Sequence, residues 1–449
     1  MLFTHKDPTK AYRGSFLWIP EDAISEDVLN RDLRFVLKGY RPGTSPPPVV
    51  QWERCGSHVR VPRSYPVPPG LEVVDLTPMP YQVLPVDDLA STFLDEGQER
   101  AYRALEGIRE GILHLGCGRG KTWLGVKKAV SNGGPFLVIV DNTGTFSQWE
   151  SAVREGTTYQ DRIGLIQGSR MDIRPITFAS ARTLMERPML PVETRHYFRT
   201  ILIDEVHHYG SAQLKTLLPM FWGDRIGLSA TIEREDGLEK VIYAHMGPVF
   251  YSDMSQPLTP EIYFKATHVQ LPMTHPKIKD RTRNVNMSKM ISFLGEMDDR
   301  NLEIMNQVRK ARAKGRRILV LVHNVAHAHR LHIIYSELAP EDVSATLTGE
   351  VDQGVRRDVL REHPVVFATL QVGKEALDAP ALDTIILGTP FKNWPTLQQA
   401  MGRALRKRVD KLQPIIVIMN DVGVIPAMRM CRRLQAELTR RHYEWVALR

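Results

Sequence analysis

The sequence predicts an α/β protein in which two parallel sheets, each covered by helices, follow in series behind a small β-rich N-terminal module. Three observations predict it. From about residue 91, short apolar runs (GILHL, FLVIV, ITFAS, TILID, RIGLS) alternate with polar or amphipathic stretches of helical length, the texture of parallel strands joined by helical crossovers. The pattern restarts after about residue 260 with RILVLV, VVFATL, TIILGT and PIIVIMN. Thirteen of the thirty prolines fall in the first 85 residues, a density that forbids long helices and favours short edge strands and turns. The expected divisions are 1–90, 91–255 and 256–449, with a hinge in SDMSQPLTP from Ser252 to Pro260.

Composition sets broad limits. Hydrophobic residues make up 43% and charged residues 24%, the balance of an ordinary globular protein. The apolar stretches, such as ILVLV from Ile318 to Val322, are strand-sized and far short of a membrane span, so no membrane partner is expected. The N-terminal MLFTHKDPTK lacks the basic segment and apolar core of a secretory signal, and Cys55, Cys117 and Cys431 are scattered singly. An intracellular, cytoplasmic monomer with reduced thiols is expected, from a bacterial, archaeal or phage-infected cell and not secreted. Lys+Arg of 59 against Asp+Glu of 51 gives a net charge of +8, which permits a polyanion partner without requiring one.

In the N-terminal module, SHVRVPRSY alternates Val59 and Val61 with Arg60 and Arg63, read as a half-buried strand with a basic outer face. Arg54, Arg60 and Arg63 near Trp52 and Tyr65 suggest a DNA grip, the alternative being a solvated β surface.

The first α/β unit carries the phosphate chemistry. In GCGRGKT the strict phosphate-loop pattern needs glycine six residues before the lysine, where Leu115 stands. Gly118, Arg119, Gly120, Lys121 and Thr122 nevertheless follow the strand GILHL and open the helical segment WLGVKKAV. Strand, glycine-rich turn and helix N-terminus aim backbone N–H groups at phosphates, Lys121 reaches the β- and γ-oxygens, and Thr122 ligates magnesium. Taken alone, the string also reads as a glycine-rich turn with a solvated lysine. Downstream, TILIDEVHHYG sets Asp204 and Glu205 at the end of an apolar strand. Asp204 is placed to bind the magnesium hydration shell and Glu205 to orient or deprotonate a water. Without the phosphate loop, a solvated acidic pair would be the reading. His207 and His208 lack partners at metal-ligand spacing, so a coupling or packing role is expected of His207. LSAT places Ser229 and Thr231 after the next strand, suited to hydrogen-bond the acidic motif.

The second unit carries QAMGRALR, beginning at Gln399, in which Arg403 and Arg406 lie three apart and share a helix face. They are suited to reach a γ-phosphate as arginine fingers, and a solvated basic surface is the alternative.

From about Leu94 to at least Asp421, nearly three quarters of the sequence, these motifs in this order resemble those of the superfamily 2 helicases. LDEGQERAYRAL resembles the segment with the adenine-reading glutamine, here Gln98. LGCGRGKT, IDEVHH and LSAT resemble the family's motifs I, II and III, with VIVDNTGTFSQWE and TFASARTL similar to motifs Ia and Ib. ILVLVHN, FATLQVGKEALDAPALDTIIL and QAMGRALR resemble motifs IV, V and VI. GLSATIEREDGLEK further resembles the branch of the XPB repair helicases and the phage UvsW-type branch-migration helicases; in XPB proteins an Arg-Glu-Asp element after motif III helps separate strands. Arg234, Glu235 and Asp236 occupy that place.

The resemblance implies two RecA-like P-loop NTPase domains that ATP and Mg2+ close against each other, moving a bound DNA strand. It implies coupling by His207, Ser229, Thr231 and Asp378, and nucleic-acid contacts from Thr143, Arg182, Asn324 and Thr369, mainly to sugar and phosphate. The implied substrate is branched, forked or duplex DNA, or a single strand, in repair, recombination or replication. Three departures stand out: Val206 for the alanine of DEAH, Ala376 for a motif V glycine, and Arg119, which adds positive charge near the phosphates. An RNA helicase, the motor subunit of a restriction system and a nucleotide-switched DNA-binding module without turnover are the alternatives. The arginine-rich MRMCRRLQAELTRRHYEW reads as a helix that tracks phosphates or packs on the second unit.

Overall fold

In the computed structural model the apolar runs assemble into three principal sheets. The structure describes residues 7–36, 47–77, 84, 86–87, 95–116, 118–187, 190–209, 216–230, 232, 238–254, 260–280, 284–351, 353–375, 382–391, 397 and 412–448. Contacts divide the chain into two units, Met1–Ser255 and Gln256–Arg449.

The first unit opens with β1 (Ala11–Arg13), β2 (Leu17–Pro20), helix α1 (Glu26–Leu33) and the short pair β3 (Arg34–Phe35) and β4 (Val49–Val50). With β5 (Glu53–Cys55), β6 (His58–Val61) and β7 (Val73–Asp75) these give a five-stranded sheet in the order β5-β6-β2-β1-β7. The alternation read in β6 is present: Val59 and Val61 are buried and Arg60 is partly exposed. Arg63 corrects the expected basic face, because it is 0% exposed. Its number has the parity of Val59 and Val61, so beyond the strand end it continues the inward face. Arg54 is paired with Glu21 and Glu26, and Arg60 with Glu53 while its guanidinium covers the Phe16 ring. All three arginines of the expected DNA grip are therefore matched by carboxylates or buried.

The module shares its interior with the α/β part of the same unit. One apolar cluster contains Ala11, Leu17 and Val61 together with Ile112, Ile201 and Met246. The second sheet comprises β8 (Glu110–Leu115), β9 (Phe136–Val140), β10 (Gly164–Gln167), β11 (Arg170–Asp172), β12 (Ile176–Ser180), β13 (Thr200–Asp204), β14 (Asp224–Ser229) and β15 (Val249–Asp253), in the order β11-β10-β12-β9-β13-β14-β8-β15. All pairings are parallel except β10 with β11. Burial on both faces explains why β9 (FLVIV) reads as an unbroken apolar run. Helices α2 (Glu96–Leu105), α3 (Lys121–Ser131) and α4 (Phe146–Gly156) are the ones that matter for the site.

The N-terminal strand ends receive the module. Arg63 Nε donates to Glu110, the first residue of β8, and its Nη1 donates to the Trp222 and Gly223 carbonyls at 2.5 and 3.0 Å. Asp224, which opens β14, is held by Arg109 at 2.9 Å and Arg199 at 3.1 Å. Arg225 reaches back to the Ser15 carbonyl at 2.7 Å. Such buried charges are tolerated because each meets an opposite charge or a carbonyl.

The second unit has seven parallel strands: β16 (Glu261–Gln270), β17 (Ile318–Val322), β18 (Ser344–Leu347), β19 (Val365–Thr369), β20 (Thr384–Leu387), β21 (Ile415–Gly423) and β22 (Trp445–Leu448). Their order is β18-β19-β17-β20-β21-β16-β22. Asp421 accepts two bonds from Arg300, at 2.8 and 3.1 Å, and one from Thr267 at 2.7 Å, all fully buried. The arginine-rich C-terminal helix, Ile425–Arg440, buries Ala427, Met430, Cys431, Leu434 and Leu438, so one face packs on this unit while Arg429, Arg432 and Arg433 stay exposed. Among the described residues, no helix is long and apolar enough to cross a membrane.

Candidate active site

Parallel strands bring their C-terminal ends to one edge of a sheet, where α/β folds bind ligands. In the first unit β8 ends there and turns through Gly118 (φ 79°) and Gly120 (φ 78°) into α3, whose first residue is Lys121. This left-handed backbone is open to glycine at little cost. A Cβ at residue 120 would also lie 2.5 Å from Gln98 Nε2. No side chain caps the N-terminus of α3, so its first-turn N–H groups remain suited to an anion. Leu115, standing where the strict pattern has glycine, is buried in the core. It contributes its backbone to the site: the Leu115 carbonyl accepts from Lys121 Nζ at 3.3 Å.

Arg119 departs from expectation. Its guanidinium donates to Asp95 at 2.7 Å and Asp253 at 2.9 Å, and only 8% of the residue is exposed. Instead of adding charge beside phosphates, it ties the turn to the cap of α2 and the end of β15. Its carbonyl accepts from Gln98 Nε2 at 3.4 Å, placing the glutamine directly under the glycine turn.

The acidic pair leaves the sheet at the end of β13. Glu205 takes a left-handed conformation (φ 45°, ψ 52°), a costly one for a residue with a Cβ and typical of sites where geometry is over-determined. Lys121 Nζ lies 3.5 Å from Glu205 Oε1. Burial, and then the neighbouring Glu205, push the Asp204 carboxyl up to about 6. Burial opposes ionisation of Glu205 as well, but Lys121, His207 and His208 outweigh it and hold that carboxyl below the usual range. Glu205 Oε2 is buried and lies 3.3 Å from His207 Nδ1.

Two further strand ends close on this pair. Ser229, the last residue of β14, places its Oγ 2.7 Å from His207 Nδ1. Asp141, just past β9, lies 3.6 Å from His208 Nδ1. After the turn Thr143–Thr145, α4 sends Gln148 Nε2 to Thr122 Oγ1 at 3.2 Å and Trp149 Nε1 to Asp204 Oδ2 at 3.0 Å. Sequence reasoning missed these last two residues as individuals, because a tryptophan in an amphipathic helix reads as core.

The donor set fits Mg2+, which keeps most of its waters and takes one or two protein oxygens: here the Thr122 hydroxyl and the Asp204 carboxylate, each already held by one N–H of α4. No group of three or more His, Cys, Asp or Glu residues forms a metal cage among the described residues.

The residues assigned to nucleic acid fall at adjoining strand ends, two in each unit: β9 and β12 pair through Val140 and Ser180, and β17 and β19 through Val322 and Thr369. Thr143 sits in the turn before α4, and Arg182, with 83% of its side chain exposed, pairs with Glu186. Asn324 precedes the helix Val325–Leu338 and donates to Ser292 Oγ at 2.7 Å, and Thr369 ends β19 with 7% exposure. Thr231, Arg234, Glu235, Asp236, Asp378, Gln399, Arg403 and Arg406 lie outside the described residues.

A parallel sheet that gathers a glycine turn, a lysine and an acidic pair at one edge, followed by a second parallel α/β unit, defines an ATP-driven enzyme of the helicase class. Residues 75–234 match the family described as type III restriction enzyme, res subunit, and residues 300–408 match the helicase conserved C-terminal domain. The chain belongs to the superfamily 2 helicases and is related to their XPB branch. Protein L396 of Acanthamoeba polyphaga mimivirus, described as an ATP-dependent RNA helicase, is 25% identical over 82% of this chain and 72% of its own length. The DNA 3'-5' translocase XPB2 of Sulfurisphaera tokodaii is 25% identical over 73% of this chain and 81% of its own. The DNA 3'-5' helicase XPB of Kineococcus radiotolerans is 31% identical over 31% of this chain, which spans only 26% of that protein. Among solved structures, S. cerevisiae Dbp5 bound to RNA and ADP BeF3 superposes with a TM-score of 0.53 at 12% identity, over 79% of this chain and 89% of its own, a likeness of fold.

Proposed function

We propose that this chain is an ATP-dependent DNA translocase or helicase that remodels branched, forked or duplex DNA inside a cell. The observation that carries the reading is the meeting of Lys121, Thr122, Asp204 and Glu205 at one sheet edge, with His207 bridging from the acidic pair to Ser229. In this reading the Gly118–Gly120 turn and the first N–H groups of α3 cradle phosphates, Gln98 reads adenine, and Thr122 and Asp204 hold Mg2+. Arg119 serves through its backbone. Bound Mg-ATP supplies a transferable phosphoryl group whose charge the cation neutralises. Glu205, held ionised by Lys121, orients or deprotonates the water. His207 and Ser229 transmit the state of the site to β14, with Thr231 and Asp378 assigned the same role from the sequence. Gln399, Arg403 and Arg406 are assigned to the γ-phosphate, Arg234, Glu235 and Asp236 to strand separation, and Thr143, Arg182, Asn324 and Thr369 to the backbone of the bound strand.

The XPB relatives favour DNA, and a monomer acting in repair or recombination is the simplest form of the proposal. The name carried by L396 makes RNA the competing substrate. ATP hydrolysis measured with forked DNA, plain duplex and RNA decides between them. Stimulation by forked or duplex DNA is expected; stimulation by RNA alone overturns the DNA assignment, and absence of any nucleic-acid-stimulated hydrolysis overturns the motor.

A further inference from the structure

Adjacent residues of α4 touch both of the side chains that would hold the metal. Gln148 Nε2 donates to Thr122 Oγ1 at 3.2 Å, and Trp149 Nε1 donates to Asp204 Oδ2 at 3.0 Å. We propose that Gln148 and Trp149 are positioning residues for the metal ligands, setting the Thr122 hydroxyl and the Asp204 carboxylate in the orientation a divalent cation requires. The proposal rests on the ATP-site reading above.

The chemistry of each contact is specific. A hydroxyl oxygen has two acceptor lone pairs; the Gln148 N–H occupies one and leaves the other for a cation. A carboxylate rotates freely about its last bond unless one oxygen is held. The Trp149 N–H holds Oδ2 at 3.0 Å and leaves Oδ1 as the oxygen available to a cation.

Packing alone does not account for Trp149. Its ring is 0% exposed within the cluster of Leu124, Val138, Val153 and Leu202, and a purely apolar ring would fill that space. A buried indole N–H requires a partner, and here the partner is the acidic residue of the site, 55 positions away in sequence. Gln148 is only half-buried and has no comparable packing role. Groups that orient metal ligands in this way change metal affinity without touching the metal.

The test uses the full chain with a fluorescent ADP analogue. Nucleotide affinity is measured in EDTA and across a Mg2+ titration for wild type, Trp149→Phe and Gln148→Ala, with thermal melting to establish folding and steady-state hydrolysis to separate kcat from KM. Each folded variant is expected to need about tenfold more Mg2+ for half-maximal effect and to lose kcat more than it gains KM, while its affinity in EDTA stays within about twofold of wild type. If Trp149→Phe fails to fold, Gln148→Ala carries the test. Unchanged Mg2+ dependence in the folded variants, or equal weakening with and without Mg2+, overturns the positioning role. Wild-type protein whose ADP binding ignores Mg2+ overturns the site reading itself, so the two failures are read on different proteins.

Discussion

The imidazole of His207 and the hydroxyl of Ser229 meet at 2.7 Å, joining the turn after β13 to the end of β14. Because Glu205 Oε2 lies 3.3 Å from the same ring nitrogen, the histidine senses the acidic pair and the neighbouring strand together. A neutral hydrogen bond of this kind contributes about 0.5–1.5 kcal/mol. Replacing Ser229 with alanine is therefore expected to lower strand displacement per ATP hydrolysed more than it lowers hydrolysis. Parallel measurement of unwinding and phosphate release checks this, and an equal fall in both would argue against a coupling role.

If the proposed function holds, Lys121→Ala and Glu205→Gln act at different points of the same chemistry. The first removes the cation facing the phosphates and Glu205, and nucleotide binding should weaken together with hydrolysis. The second keeps the shape but removes the base, so hydrolysis should fall by about 10²- to 10⁴-fold while nucleotide binding persists. DNA affinity, read by anisotropy on a labelled fork, should change little in either variant.

Arg63 is a structural residue in spite of its basic character. Removing one partner of a buried pair costs about 3–5 kcal/mol, so Arg63→Met should lower the urea midpoint sharply by stranding Glu110. Arg54→Ala, at an exposed pair, should cost at most about 1 kcal/mol. Equal, small losses for the two would contradict the burial seen at residue 63.

Acid should loosen the same junction. Burial disfavours the charged form of Glu110, but Arg63, Arg225 and the Ser64 hydroxyl outweigh it and hold the carboxyl below its ordinary 4.5. A carboxylate depressed on folding contributes stability that is fully present above its unfolded value and fades as pH falls through the folded one. Stability should thus decline from about pH 4.5 downward, and Glu110→Gln should be less stable at pH 7 yet lose less on acidification. Chemical denaturation at pH 7 and pH 4 measures the difference.

The legible parts of this chain were those in which chemistry demands fixed residues within a few positions. Gly118, Gly120, Lys121 and Thr122 share one turn, Asp204 ends one strand with Glu205 next to it, and the β9 and β17 runs are apolar because both their faces are covered. Residues whose partners are distant in sequence were less legible. Arg63 finds Glu110 47 residues away, and Arg119 finds Asp253 134 residues away; nothing local distinguishes either from a solvated arginine. Parity with Val59 and Val61 could have predicted that Arg63 turns inward, a signal masked by the proline between them. Trp149 was hidden by its own suitability for a core.

The Ser15 carbonyl that receives Arg225, and the apolar cluster spanning Ala11 to Met246, bear on how such a chain can evolve. A module built into the core of the first unit cannot be exchanged as a cassette: a graft from a relative keeps the Arg63–Glu110 pair and the shared apolar packing only if both sides have changed together. Sequence drift in β6 and in the Phe221–Arg225 stretch is expected to be correlated among descendants of this chain, and a chimera joined near residue 90 inherits a mismatched interior.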